Sequence, residues 1–186
     1  MKPSLAIAAF VLLLAGIVWA ENGAAPPAKS AVDFIGESSN EVYYSTENDP
    51  HVSGYTLVLY RQDGHVFGNF YSTNGLEGDP PAGRINAAAL SGKQLSFTAK
   101  LTTGTEINRQ APRGRLAHDW FEFTGRLSPN TITGKLIHKD GYDLQNSAHW
   151  QTEKVTLKKR KNGYAGELPA SYQNWLAQPL PNGPEW

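Results

Sequence analysis

The dominant rhythm along this chain is that of an extended strand. Residues 64–71 read Gly-His-Val-Phe-Gly-Asn-Phe-Tyr, so Val66, Gly68 and Phe70 share one face, because strand side chains alternate with period two. The same apolar-x-Gly-x-apolar kernel returns as Phe123-x-Gly125-x-Leu127 and as Ile132-x-Gly134-x-Leu136. An inward glycine marks a place where a sheet bends sharply or another chain passes close by. Residues 52–61 put Tyr55, Leu57 and Leu59 on one face, with Thr56, Val58 and Tyr60 on the other. Residues 94–101 set Leu95, Phe97, Ala99 and Leu101 against Ser96, Thr98 and Lys100. Residues 120–127 turn Phe121, Phe123, Gly125 and Leu127 inward and Trp120, Glu122, Thr124 and Arg126 outward, and residues 150–160 turn Val155 and Leu157 inward. Two weaker strands fall at 41–45, with Val42 and Tyr44 on one face, and at 84–90.

Turn chemistry joins these strands in chain order. Asp63-Gly64 supplies the positive φ that a tight hairpin needs, and Ser91-Gly92-Lys93 and Ser128-Pro129-Asn130 are further turns. Longer connectors cover 74–81, 102–117 and 139–148. The pattern predicts an all-β protein, an eight-stranded antiparallel up-and-down β-barrel with a short C-terminal helix. Closure removes exposed edges and the glycines favour curvature, while a two-sheet sandwich is the alternative arrangement of the same strands. The helix is expected within 168–180, with Pro169 in its first turn and Tyr172, Trp175 and Leu176 on one stripe. That stripe should cover the outward aromatics Tyr60, Phe67, Tyr71 and Trp120.

The N-terminus reads as an export signal: Met1-Lys2, an apolar run over 5–18, then Val18-Trp19-Ala20 before a cut. The predicted division is signal 1–20, flexible leader 21–38, barrel 39–162 and tail 163–186. The expected location is the periplasm or the extracellular space, without membrane contact beyond the signal segment.

The run Gly54-x-x-Leu57-x-Leu59, then Gly64-x-Val66-x-Gly68-x-Phe70, then the later glycine strands, resembles the calycin group: lipocalins, avidins and fatty-acid-binding proteins. The likeness spans the middle two-thirds of the chain and implies a barrel with a ligand cup at one end. The lipocalin Gly-x-Trp opening is missing, so the resemblance carries architecture and no functional residue.

Composition narrows the function. There are 17 basic and 17 acidic residues, a balance that disfavours nucleic acid as a partner. With no cysteine there is no disulfide, thiol nucleophile or thiolate metal site. The five histidines lack His-x-His or His-Glu-x-x-His spacing and read as turn and strand-end residues facing water, so no metal or other cofactor is expected. No Gly-x-Ser-x-Gly elbow or phosphate loop occurs. His118-Asp119 and Asp140 are the residues that could suggest acid–base work, but the inward positions are apolar apart from Glu153, at a barrel rim. The expectation is therefore a non-catalytic protein of the cell envelope holding a small apolar ligand inside the barrel. Tyr55, Leu57, Val66, Phe70, Phe97, Phe121 and Phe123 would line its site, rimmed by the loops 75–81 and 102–115. The alternative is a protein-binding module (an envelope inhibitor, immunity-type or accessory protein) engaging its partner through Arg109, Arg113 and Arg115. Lys158-Lys159-Arg160-Lys161 reads as a solvated strand end that could also touch anionic lipid or polysaccharide.

Overall fold

Alternation and hairpin chemistry produce eleven strands and one short helix in the computed structural model, which describes residues 30–46, 49–76, 78–109, 111–161, 167–184 and 186. The expected signal, 1–20, and the expected leader up to residue 29 lie outside the described residues. The strands are β1 (Asp33–Ser39), β2 (Val42–Thr46), β3 (Asp49–Gln62), β4 (His65–Leu76), β5 (Ala82–Ser91) and β6 (Gln94–Leu101). They continue with β7 (Thr105–Glu106), β8 (Arg115–Leu116), β9 (Asp119–Leu127), β10 (Thr131–Asp140) and β11 (Gln151–Lys159). Helix α1 (Tyr172–Ala177) follows. Antiparallel neighbours run β3-β4-β5-β6-β9-β10-β11-β1, and β1 pairs back to β3, closing the eight-stranded barrel.

The membership of that barrel differs from expectation at one strand. β1 lies, but for Ser39, within the stretch read as leader, whereas β2, read as the first barrel strand, only pairs with the start of β3. The reason is a bulge. Phe34 faces Tyr60 and Gly36 faces Leu59, so the register shifts at Ile35 and the period-two signature is lost. Val42, Tyr43 and Tyr44 on β2 are all exposed.

The inward phase holds throughout. Leu57, Leu59, Phe70, Leu95, Phe97, Leu101, Phe121, Phe123, Ile132, Leu136, Val155 and Leu157 form one buried core inside the barrel. Asp63 (φ 49°) and Gly64 (φ 80°) make the β3–β4 hairpin. Gly125 and Gly134 sit opposite each other on β9 and β10, and a Cβ on either would collide with the Phe123 ring and the facing backbone. The glycines thus leave the space that a large core aromatic occupies.

Outside the barrel, Ser171 caps α1 by accepting a hydrogen bond from the Asn174 N–H (3.1 Å), so the helix starts after Pro169. Trp175 is buried against Phe67 (ring centroids 5.2 Å apart) in a second cluster with Val58 and Tyr60. The outward aromatics Tyr60 and Phe67 are therefore covered by the tail, as the stripe predicts. Leu176 leaves the stripe and is exposed, and Trp120 is engaged elsewhere, donating to Glu122 (3.0 Å).

Candidate functional site

Tight hairpins close one end of the barrel, after β3, β5 and β9, while the longer connectors gather at the other. At that second end the inward phase runs one step past the apolar core. Below Leu57 comes Tyr55, before Phe121 comes Asp119, after Leu136 comes His138, and before Val155 comes Glu153. These four side chains meet in a cavity of about 530 Å³, with Asn40, Ser72, Thr73 and Thr103 also in its wall.

The floor is aromatic. Tyr55 stacks on Phe70 (5.5 Å) and meets Phe121 edge-on (6.2 Å), and the His138 ring lies parallel to Phe121 at 4.6 Å. Beneath it the core is filled: Phe70 packs on Phe97 at 5.7 Å and Phe97 on Phe123 at 5.1 Å.

The walls are polar and tied together. Asp119 is buried, and its Oδ2 accepts from the Thr103 N–H (2.9 Å) and hydroxyl (2.7 Å). Its Oδ1 lies 2.7 Å from His138 Nε2. Burial would raise the Asp119 pKa, but the hydrogen bonds from His138 and Thr103, with the charge attraction of His138, outweigh it and hold the carboxyl below its usual range. With Asp119 ionised, His138 Nε2 carries the proton of that bond. Tyr55 donates to Glu153 Oε1 (2.6 Å). Burial first, then that hydrogen bond and the Glu153 charge, push the phenol above its ordinary pKa, so Tyr55 remains a donor. Among the described residues, neither Lys nor Arg lines the cavity.

Of the seven residues expected to hold a ligand, Tyr55 and Phe121 line this cup. Leu57, Phe70, Phe97 and Phe123 are sealed in the core, with Val66 half-buried against it. The three arginines separate. Arg109 and Arg113 are exposed in the connector carrying β7 and β8. Arg115 bonds Glu106, lies 3.7 Å from Asp140 and covers the Tyr142 ring at 3.5 Å. His118, read beside Asp119 as an acid–base pair, stacks between Tyr142 (3.8 Å) and Trp186 (4.6 Å), and the partner of Asp119 is His138. The expectation of histidines turned to water holds for His65 and His149, which are exposed, and is corrected for His51, His118 and His138, which are half-buried and each stack on an aromatic ring. Asp119 and His138 were missed as a pair although both continue the inward alternation of their strands.

No protein-family model, curated protein or solved structure matches this chain.

Proposed function

We propose that the protein is an exported, non-catalytic binder of a small polar molecule carrying an organic cation, an ammonium or a guanidinium group. One observation carries this reading: the cup sets the carboxylates of Asp119 and Glu153 beside the rings of Tyr55 and Phe121, with no basic side chain but His138 in its lining among the described residues. An organic cation gains from a charge-assisted hydrogen bond to Glu153, from the negative charge of Asp119 behind it and from attraction to the ring faces. Tyr55 occupies one Glu153 oxygen and leaves the other for a ligand. The barrel interior is occupied by its own phenyl rings, which moves the proposed ligand from the apolar class toward the polar one. A non-catalytic role is favoured because both Asp119 oxygens are already committed to Thr103 and His138. Export rests on the N-terminal run before Ala20.

Mass spectrometry of compounds released from natively purified protein, with calorimetry against agmatine, spermidine and choline beside neutral and anionic analogues, tests the reading. Binding of at least one cation, weakened tenfold or more in Glu153→Gln, is the expected result. Preference for anions or alkanes, or no binding by the whole panel, refutes it. A secreted form whose mass begins at Glu21 supports export, and an intact cytoplasmic chain refutes it.

A protein-binding role has one specific observation in its favour: Ile107 is 75% exposed in the same connector as Arg109 and Arg113. Ile107→Asp should then abolish recovery of a co-purifying protein while leaving the melting temperature unchanged. A partner retained by that variant, or none recovered with the wild type, removes this second reading.

A further inference from the structure

The outward phase of β9, β10 and β11 carries a different chemistry from the cup. Arg126, Thr133, Lys135, Lys154, Thr156 and Lys158 are all exposed there. The register sets Lys135 directly opposite Lys154, and Thr133 between Arg126 and Thr156. A shallow groove of about 590 Å³ runs along β10 and β11 over Thr133, Lys135, Lys154 and Thr156, with Glu153 the one acid in its lining among the described residues.

Other cations of the barrel wall are engaged by partners within the fold. Arg61 pairs with Asp33, Lys139 with Glu122 and Arg160 with Glu37 and Glu41, while Arg84 and Lys159 donate to backbone carbonyls and Lys100 lies over the Trp186 ring. Among the described residues, Arg126, Lys135, Lys154 and Lys158 make no ion pair, and the one acid on the outward phase of β9, Glu122, is taken by Lys139 and Trp120. Like charges directly opposite on neighbouring strands destabilise a sheet. The Lys135–Lys154 pair therefore works against the fold, in a chain whose total charge is balanced. An external anion would relieve it.

We propose that this face binds a linear acidic polysaccharide. Charge complementarity selects a polyanion. The groove follows the strands and suits one extended chain rather than a flat bilayer. Threonine hydroxyls interleaved with the cations offer hydrogen bonds to sugar hydroxyls beside the contacts to carboxylates. The site lies on the outer wall, and Glu153 is the one residue that lines both it and the cup.

Calorimetry with polygalacturonate at low salt, using dextran as the neutral control, tests the assignment. The wild type should bind polygalacturonate and not dextran, with affinity falling as salt rises. Lys135→Gln/Lys154→Gln should lose affinity tenfold or more while melting at the same temperature or higher, and Lys135→Arg/Lys154→Arg should retain binding. Absence of polygalacturonate binding overturns the proposal, as does undiminished binding by the glutamine double variant. Tighter binding of a single-stranded oligonucleotide or of phosphatidylglycerol vesicles overturns it as well, by showing a different class of polyanion.

Discussion

Single side chains set the chemistry of the cup, and Asp119 is the best placed to be measured. Its folded-state pKa lies below its unfolded value. On acidification the unfolded chain therefore takes up a proton first. The stabilisation from Asp119 is complete above about pH 4 and is lost as pH falls through the folded-state value. Asp119→Asn should be less stable at pH 7 by about 1–3 kcal/mol, because charged hydrogen bonds are replaced by neutral ones. Its urea-derived stability should also vary less with pH in the acid range than that of the wild type, and parallel profiles would show that Asp119 is not the titrating group. A second residue carries strain rather than charge. Ala87 sits at φ 47° beside the irregularity in β5, is exposed, and pays the left-handed penalty of a residue with a Cβ. Ala87→Gly should stabilise the fold by about 0.5 kcal/mol, the relief of that strain less the added freedom of the unfolded chain, read as a rise in the urea midpoint.

Among the elements, the β9–β10 pair shows how glycine and an aromatic share one space. A methyl at residue 134 would strike the Phe123 ring and the Gly125 backbone. Gly134→Ala should destabilise by about 1–3 kcal/mol. Combined with Phe123→Leu, which shortens the ring it strikes, the loss should fall below the sum of the single losses by at least 0.5 kcal/mol. An additive double-mutant cycle would place the ring elsewhere. This kernel was readable in the sequence because each residue between the glycine and its apolar neighbours faces the opposite side. β1 was not readable for the converse reason. Its bulge turns Ile35 and Gly36 to the inward side in succession, and its second half buries Glu37, Ser38 and Ser39. Those three read as surface until Arg160 and Thr56 are brought beside Ser39 from 121 and 17 residues away. The cup failed to announce itself in the same way. His138 continues the phase of Leu136, but a polar strand end reads as solvated, and its diagonal neighbour Asp119 is assigned only by the register.

Across the whole molecule, an even total of charges conceals an uneven layout, and the layout decides what a basic residue is worth. Arg160 reaches Glu37 at 3.0 Å and Glu41 at 2.5 Å, and those two carboxylate side chains are only 9% and 10% exposed. It joins β1 and the start of β2 to the chain just past β11, where barrel closure depends on only two register pairs between β1 and β11. Removing the guanidinium leaves two acids near each other with their shared counter-charge gone. Breaking a fully buried pair costs about 3–5 kcal/mol, but the Arg160 side chain is 42% exposed, so Arg160→Ala should cost about 2–3 kcal/mol. Lys154 lies on the same sheet with a like charge opposite and no acid beside it, so Lys154→Thr should be neutral or stabilising, within about 0.5 kcal/mol. Equilibrium urea unfolding of both variants under one buffer separates the cases. Equal losses would mean that the β1 seam and the outer face contribute alike, and that the cations on the outer face are held by the fold rather than left for a ligand.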